Sequence, residues 1–408
     1  MEYFELKRIE KISGGGVQYK YTVPTKIKRF LNSTELFINY SDDVDLEKVP
    51  EAVLTVPFVA NMLTIAMLTD CGVKVACIDK VFYESIPKIK EVYQTMFPHL
   101  KLTFCVETEK MMDCSYVSDN NKSLFFTGGL DATSALASVY EKDMTLVNIW
   151  GGDVGLGDYK THYDLECYLQ ELSRQLEIKY TFIKSNCREM YNEREISKLT
   201  ALKLPPKDNH GWWASIAHVL AMVSLLAPYA YIKRIDTNML ASSYTKGSKV
   251  FDANNQSLLD AIRFCSCKMK SIDSDLERTD KAENIIRFSK EKDIPIKLKV
   301  CWFRHAGENC SACEKCYRTI LDILVCGGDP NQYGFNVNRN TYQEMKSFLT
   351  YSYVNKSFWN EIQIKFNENR SKWEKDENVA WILDMKFNRP IAIYNKAVSV
   401  VRKFFPKK

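Results

Sequence analysis

The sequence predicts an α/β fold built on a doubly wound parallel sheet. Two observations support this prediction. From residue 124 onward, short apolar runs alternate with helix-like segments, which is the pattern of parallel strands joined by crossover helices. A glycine pair, Gly128 and Gly129, directly follows the first of these runs. In doubly wound sheets, ligands bind beyond the carboxyl ends of the strands, where this turn is predicted to lie.

The predicted elements divide the chain into three parts. Residues 1–118 are predicted to form an N-terminal α/β domain, 119–337 the sheet with the glycine turn, and 338–408 a helical C-terminal cap. Apolar runs predict strands, in order, at 17–23, 35–40, 73–78, 102–106, 124–126, 145–150, 179–183, 234–241 and 296–301. Helical periodicity predicts helices at 57–68, 83–96, 133–140, 163–175, 213–226, 257–265, 281–290, 342–353, 358–366 and 373–385. The polar stretch at 118–123 is predicted to be a linker.

Composition excludes several classes of protein. The 408 residues are 46% hydrophobic and 26% charged, which is typical of a globular protein. A net charge of +5 is too mild over this length to indicate nucleic acid as a partner. The charged N-terminus and 13 scattered cysteines indicate a reducing, cytoplasmic location. Residues 212–232 carry no formal charge, but serines, His218 and Pro228 interrupt them, so a buried core helix is expected and no membrane span.

Residues 123–134 read Ser-Leu-Phe-Phe-Thr-Gly-Gly-Leu-Asp-Ala-Thr-Ser. The apolar residues suit a buried strand, and the glycines let the backbone turn tightly and approach a ligand closely. A strand, a glycine turn and a helix N-terminus together aim several backbone N–H groups at one point, which forms an anion site. The alternative is a tight turn without a ligand. The pattern favours a phosphate as the anion.

This string resembles the Ser-Gly-Gly-x-Asp-Ser signature of the PP-loop (N-type) ATP pyrophosphatases. The resemblance implies an adenine nucleotide alpha hydrolase-like fold over 119–337 and a loop that binds the β- and γ-phosphates of ATP with Mg²⁺. The sequence departs from the signature at Thr127, which keeps a hydroxyl, and at Ala132, which loses one. Asp131 is the candidate for organising the loop or the metal, and helix capping is the alternative. The nucleotide contacts implied here are Thr127, Gly128, Gly129, Leu130, Asp131, Ala132 and Thr133.

Two later loops are candidates by their position after predicted strands. Trp150 and Gly151 begin a Trp-Gly-Gly-Asp turn, where the PP-loop enzymes place contacts to adenine. Asp153 in that turn is a candidate contact for substrate or ribose, and together with Thr127 and Asp131 it completes the predicted catalytic set; an ordinary turn aspartate is the alternative. Ser242 is a further nucleotide candidate. The residues that follow it, including Tyr244, Lys246 and Asp252, are candidates to meet the acceptor.

Four cysteines form a cluster near the end of the predicted sheet. Four thiolates within sixteen residues can enclose Zn²⁺ in a tetrahedron. A redox pair, an iron–sulfur cluster and free thiols are the alternatives, and His305 could replace one ligand. The spacing Cys-x8-Cys-x2-Cys-x2-Cys downstream of the glycine turn is similar to the 7-cyano-7-deazaguanine synthase (QueC) family, in which it binds a structural zinc. That resemblance covers about residues 123–325 and includes a Lys-Ala-Glu stretch within 280–286. The implied ligands are Cys301, Cys310, Cys313 and Cys316.

The resemblance implies an ATP-dependent ligase that forms a carbon–nitrogen bond. A carboxylate, 7-carboxy-7-deazaguanine or a similar planar acid, would attack ATP, release pyrophosphate and give an acyl-adenylate. An amine or ammonia would then displace AMP. A protein amine in bacterial antiphage defence is an open alternative as the acceptor, and a homodimer is an open arrangement. The other functions left open are a PP-loop sulfurtransferase, an amidotransferase acting on a sugar or small acid, and a non-catalytic nucleotide-binding descendant.

Overall fold

The computed structural model describes residues 1–206, 208–243, 254–301 and 308–404. The chain forms two compact units. The first comprises Met1–Phe126 and Val139–Ser274, and the second comprises Thr127–Ser138 and Asp275–Lys408. This division differs from the boundaries expected at residues 118 and 337. The glycine turn and the start of the following helix group with the C-terminal third of the chain.

The first unit is organised around one large sheet, so the predicted α/β fold with a mostly parallel sheet is confirmed. Within the described residues its eleven strands lie in the order β10-β11-β9-β6-β7-β8-β3-β2-β1-β4-β5. The strands are β1 Tyr3–Ile12, β2 Gly16–Thr22, β3 Leu36–Asn39, β4 Gly72–Asp79, β5 Val106–Met112, β6 Asn121–Phe125, β7 Thr145–Trp150, β8 Lys179–Ser185, β9 Ile235–Ala241, β10 Arg263–Phe264 and β11 Cys267–Ile272.

The central strands β8, β7, β6, β9 and β11 run parallel to one another. Along the chain, β6, β7 and β8 are added in one direction across the sheet, and β9 and β11 are added in the opposite direction. The direction of winding therefore reverses between β6 and β9, which is a topological switch point. β6 is also the strand from which the chain enters the glycine turn. On the other side, β3 is antiparallel to β8 and attaches the N-terminal strands to the same sheet.

The helices are numbered along the chain. They are α1 Glu51–Thr69, α2 Lys80–Met96, α3 Leu130–Val139, α4 Tyr159–Leu176, α5 Glu193–Lys203, α6 His218–Ser224, α7 Ala227–Lys233, α8 Gln256–Ala261, α9 Arg278–Lys292, α10 Glu314–Val325, α11 Arg339–Tyr351, α12 Lys356–Glu368, α13 Arg370–Trp373 and α14 Pro390–Phe404. A π-helical turn, Trp213–Ala217, precedes α6.

Two helical segments are long and apolar enough to cross a membrane by length and composition alone. They are Glu51–Thr69 and Trp213–Lys233, and 94% and 83% of their apolar windows are buried inside the protein. α1 packs against β4 and α6, and Pro57 lies within it. Helices that are apolar all round and covered by protein are core helices. This agrees with the core helix predicted at 212–232.

The second unit is helical apart from its loops. α10 packs against α9 and α12, and α11 packs against α14. The predicted helical character of 338–408 is therefore present, but the predicted helix at 373–385 is wrong. α13 ends at Trp373, and the chain then makes turns and a short 3-10 helix, Ala380–Ile382.

Two predicted strands are wrong for the same physical reason. Residues 102–106 and 296–301 contain buried apolar residues, but their backbones join no ladder apart from Val106, where β5 begins. In the second segment Leu298 N–H donates to Tyr333 O at 3.0 Å, so the end of a short 3-10 helix, Pro330–Tyr333, supplies the partner that a strand would. Apolar alternation marks burial, and it does not distinguish a strand from an extended segment held by loops.

Other boundaries also differ. β6 begins inside the predicted linker at 118–123, and α8 ends at Ala261 because the next residues form β10 and β11. β1, α5 and β11 were not predicted. β1 alternates apolar and charged residues at the surface, so it lacks the apolar run that marked the central strands.

Candidate functional site

The glycine turn has the backbone conformation that its sequence suggested. β6 ends at Phe125 and α3 begins at Leu130, and Gly128 has a φ of +74°, a conformation that L side chains rarely adopt. The Gly128 carbonyl accepts a hydrogen bond from Lys299 N–H at 2.7 Å, and the Gly129 carbonyl accepts one from Thr133 N–H at 2.9 Å. The carbonyls of Gly128 and Gly129 thus face backbone N–H donors of the protein. The first N–H groups of α3 have no acceptor within the helix.

Asp131 lies in the first turn of α3 and is held by two cations of α9. Lys281 Nζ lies 3.0 Å from Oδ1 and Arg278 Nη1 lies 3.9 Å from Oδ2. Lys281 is 1% exposed and the Asp131 side chain is 29% exposed, so the Asp131 carboxylate reaches solvent and the Lys281 ammonium does not. Burial by itself would raise the pKa of the Asp131 carboxyl, but the charges of Lys281 and Arg278 outweigh it and hold that pKa below its ordinary value. Asp131 is therefore ionised at neutral pH.

Arg278 is itself fixed from α10. Its Nε donates to Asp322 at 2.9 Å and its Nη2 donates to the Thr319 hydroxyl at 2.8 Å. Asp322 is fully buried, and burial raises the pKa of its carboxyl to about 7 despite the nearby guanidinium. Arg278 thus joins Asp322 of α10 to Asp131 of α3.

α3 is also tied to α9 by polar contacts. Asn284 Nδ2 lies 2.8 Å from the Ser138 hydroxyl and 3.1 Å from the carbonyl of Ser134. The Thr133 hydroxyl is buried and, among the described residues, has no hydrogen-bond partner. A buried hydroxyl without a partner is uncommon in proteins and is consistent with a missing ligand group.

Sequence reasoning missed Arg278 and Lys281 as parts of this site. The stretch around Lys281 was noted only as similar to a family motif, and no charge role was assigned to it. The available signal was a Lys and an Arg one turn apart near the start of a predicted helix. Only the fold brings them to Asp131, about 150 residues earlier in the chain.

The turn after β7 belongs to the first unit and contains three predicted site residues. The Trp150 ring stacks on His162 with centroids 3.8 Å apart, and Lys184 Nζ lies 4.3 Å from the Trp150 centroid. Its Nε1 donates to Gly155 O at 3.0 Å. Asp153 is exposed in this turn. The indole ring that was predicted to contact adenine is thus already in contact with side chains of the same unit.

Gly151 has a steric reason for being glycine. Its φ is +105°, and a Cβ at this position would lie 1.8 Å from the carbonyl oxygen of Ser185. We expect Gly151→Ala to lower the free energy of unfolding by about 3 kcal/mol, because it combines overpacking with an unfavourable backbone conformation. Chemical denaturation measures this change.

Gly157 in the same loop provides the matched control. A Cβ there would meet no atom within 4 Å, so Gly157→Ala should change stability by less than about 0.5 kcal/mol. Equal effects of the two alanines would contradict the steric explanation.

Ser242 lies directly after β9 in the first unit. It is 2% exposed, and its N–H donates to Ile272 O at 2.8 Å, which continues the pairing of β9 with β11. The predicted acceptor residues Tyr244, Lys246 and Asp252 lie outside the described residues, as does His305.

The four predicted cysteines come together and could hold a metal ion such as zinc. Their sulfur atoms all lie within 4.8 Å of one another, with Cys301 and Cys313 at 4.0 Å and Cys310 and Cys316 at 3.9 Å. Zinc–sulfur bonds of about 2.3 Å give a tetrahedron with edges of about 3.8 Å. A disulfide would need about 2.05 Å. The spacing therefore fits four thiolates around a single ion.

Asn309, which the sequence analysis did not select, holds the two ends of this cluster together. Its Oδ1 accepts hydrogen bonds from Val300 N–H and Cys301 N–H, at 2.9 and 3.2 Å. Its Nδ2 donates to the carbonyls of Leu298 and Gly334, at 2.8 and 2.9 Å. One side chain thus fixes the extended segment that carries the first cysteine. Cys301 was predicted to end a strand, and it ends this extended segment instead.

Comparisons of the chain with protein-family models, with curated proteins and with solved structures found no match.

Proposed function

We propose that the glycine turn binds the polyphosphate of ATP and that the protein is an ATP-dependent ligase that activates a carboxylate. The observation that carries this proposal is the placement of two buried cations, Lys281 and Arg278, beside the N-terminus of α3. A helix N-terminus favours anions by its exposed N–H groups and its dipole. Buried cations strengthen that preference because few solvent dipoles screen them.

The fold supports the same ligand. In open α/β sheets, ligands bind outside the carboxyl ends of strands at a switch point. β6 is one of the two strands at this point, and the glycine turn follows it in the chain. The Thr133 hydroxyl would supply one further donor, since no described residue accepts from it.

Asp131 is ionised at neutral pH, so it has no proton to donate as an acid catalyst, but it can bind a metal ion. Its lowered pKa keeps it a carboxylate, and its partial exposure leaves oxygen atoms open to solvent. Mg²⁺ prefers oxygen ligands and commonly bridges a carboxylate to substrate phosphates. Asp131 and the Thr127 hydroxyl are the residues that would hold it. The ion would neutralise charge on the phosphates.

The reaction that suits this site is transfer of AMP to a carboxylate. The carboxylate oxygen forms a bond to the α-phosphorus while the bond to the pyrophosphate oxygen breaks. Lys281 and Arg278 would help to stabilise the negative charge on the departing pyrophosphate. An amine or ammonia then attacks the activated carbonyl, forms the amide and displaces AMP. Such chemistry depends on positioning and on charge stabilisation, and it needs no side-chain nucleophile.

We propose zinc as the ion of the cysteine cluster, in a structural role. Four thiolates leave a tetrahedral ion no open position for substrate, which is the arrangement of structural zinc sites. The ion would join the extended segment ending at Cys301 to the start of α10 at Cys313 and Cys316.

The cysteines also weigh against the sulfurtransferase alternative. Sulfur transfer needs a reactive thiolate, and burial raises the pKa of Cys114, Cys187 and Cys326 to about 12. Four others would be ligands of the proposed zinc. A carboxylate ligase accounts for the same turn without a reactive cysteine.

Substitution of Gly129 tests phosphate binding without damaging the fold. A Cβ there would lie 3.4 Å from Thr127 Oγ1 and 3.9 Å from Lys299 O, which are ordinary contacts. We expect Gly129→Ala to change the free energy of unfolding by less than about 1 kcal/mol. We expect it to weaken ATP binding about 10- to 100-fold, because the methyl group obstructs a charged hydrogen bond. Calorimetric titration with Mg-ATP measures the affinity. Unchanged affinity with an intact fold would exclude the turn as the phosphate site.

The reaction itself is tested with Mg-ATP, 7-carboxy-7-deazaguanine and ammonium, measuring pyrophosphate and AMP. Release of both in equal amounts, dependent on the acid and lost in Asp131→Ala, supports the ligase. ATP binding with no pyrophosphate release from a panel of acids and amines would indicate the non-catalytic alternative instead.

A further inference from the structure

A cavity of about 720 Å³ lies in the second unit, between the first half of α10 and the C-terminal helices. Its size is that of a site for a nucleoside-sized ligand. Most of its lining comes from residues after 338, outside the segment that resembles the PP-loop families. The lining residues are Glu314, Arg318, Tyr353, Val354, Asn355, Lys356, Phe358, Asn388 and Ile393.

Arg318 is the unusual member of this lining. The residue is 6% exposed, and its guanidinium lies over the Phe358 ring, 4.3 Å from the centroid. Its Nε is fully buried and has no acceptor among the described residues. The ion pairs found in the described chain do not include it, whereas Arg278 on the neighbouring helix is bonded to Asp322. Negative charges on Glu314, Asp322 and Asp131 lie near Arg318, but none of them forms an ion pair with it. A buried guanidinium without a bonded partner is costly, and a ligand carboxylate would complete it.

Two other polar groups of the lining already have hydrogen-bond partners. Asn388 accepts from Val354 N–H at 2.8 Å and donates to Val354 O at 2.9 Å. Glu314 accepts from Trp359 Nε1 at 3.1 Å. Among the described lining residues, Arg318 is thus the one whose buried donor lacks an acceptor. The cavity therefore presents the cations Arg318 and Lys356 and the carboxylate of Glu314 beside apolar and aromatic walls.

We propose that this cavity binds an organic acid, with its carboxylate paired to the Arg318 guanidinium. The planar fork of arginine matches a carboxylate, and the apolar walls suit the body of an organic molecule. On the proposed function, on which this assignment rests, the acid is the substrate to be adenylated. The C-terminal segment then selects the substrate.

The test compares the wild type with Arg318→Met and Arg318→Lys. Methionine removes the buried charge and keeps much of the volume, so the melting temperature should stay level or rise. In the ligase assay, Arg318→Met should raise the KM for the acid about 10- to 100-fold, because a charged hydrogen bond to the acid is lost. The KM for ATP should stay within about twofold of the wild-type value. Arg318→Lys should recover part of the loss.

Direct binding distinguishes failure of this proposal from failure of the proposed function. Aromatic monocarboxylates, including 7-carboxy-7-deazaguanine, and their matched carboxamides serve as probes in calorimetric titration without ATP. Carboxylate binding that the amides lack, and that Arg318→Met abolishes, supports the cavity even if no pyrophosphate is ever released. The proposal is overturned if Arg318→Met lowers stability with acid binding unchanged, if it weakens ATP binding and spares the acid, or if no carboxylate in the panel binds.

Discussion

Replacing Cys316 with serine is expected to release the metal and to lower the free energy of unfolding by about 4 kcal/mol or more, the range of losses caused by removing a structural metal. Cys316 is fully buried at the start of α10, and its sulfur lies 3.9 Å from that of Cys310. Without the ion, three thiols remain packed together with nothing to bind them. Metal analysis should fall from about one zinc per chain to well below that value, and chemical denaturation should show the lost stability.

Cys167 is the matched control, because it is exposed and lies outside the cluster. Cys167→Ser should keep both the zinc content and the stability. A wild-type protein that contains no metal after purification in zinc-supplemented medium, or a serine variant as stable as the wild type, would exclude a structural zinc.

Lys281→Met is expected to lower the free energy of unfolding by about 3 kcal/mol and to abolish pyrophosphate release. Lys281 is 1% exposed and lies 3.0 Å from Asp131 Oδ1, so its removal leaves a half-buried carboxylate with only the more distant Arg278. Removing one partner of a buried pair is costly because the other charge stays uncompensated. Stability is measured by denaturation and activity by the release of pyrophosphate.

The double variant Asp131→Asn with Lys281→Met separates structure from function. Replacing both partners should recover at least half of the lost stability, because no unpaired charge remains. Pyrophosphate release should stay absent, because the proposed phosphate site has lost both its cation and its carboxylate. Recovery of activity together with stability would mean that the pair serves the fold alone.

The sequence predicted those parts of the protein that depend on local pattern. The apolar runs at 145–150 and 179–183 became β7 and β8, with β7 exact, because β7 is almost fully buried and β8 buries alternate residues on one face. The glycine turn was predictable because Gly128 requires a positive φ. The cysteine cluster was predictable because its ligands are close in sequence.

The missed parts depend on contacts between distant residues. Lys281 meets Asp131 only because α9 packs on α3, and no local pattern encodes that packing. The place of Arg318 over the Phe358 ring likewise depends on packing between separate helices. Gly151 was assigned to a ligand, although the carbonyl of Ser185 accounts for its lack of a side chain.

The pairing of β3 with β8 has a consequence for how the chain is made. In this pairing, Ile38 and Asn39 of β3 lie opposite Ser185 and Lys184 of β8. The ribosome synthesises β3 about 145 residues before β8. Until β8 emerges, β3 has an unpaired edge that can join another chain. A fragment starting at residue 119 would leave the reciprocal edge, on β8, bare. Removing the N-terminal strands should therefore cause self-association of the remainder rather than yield a smaller monomeric protein.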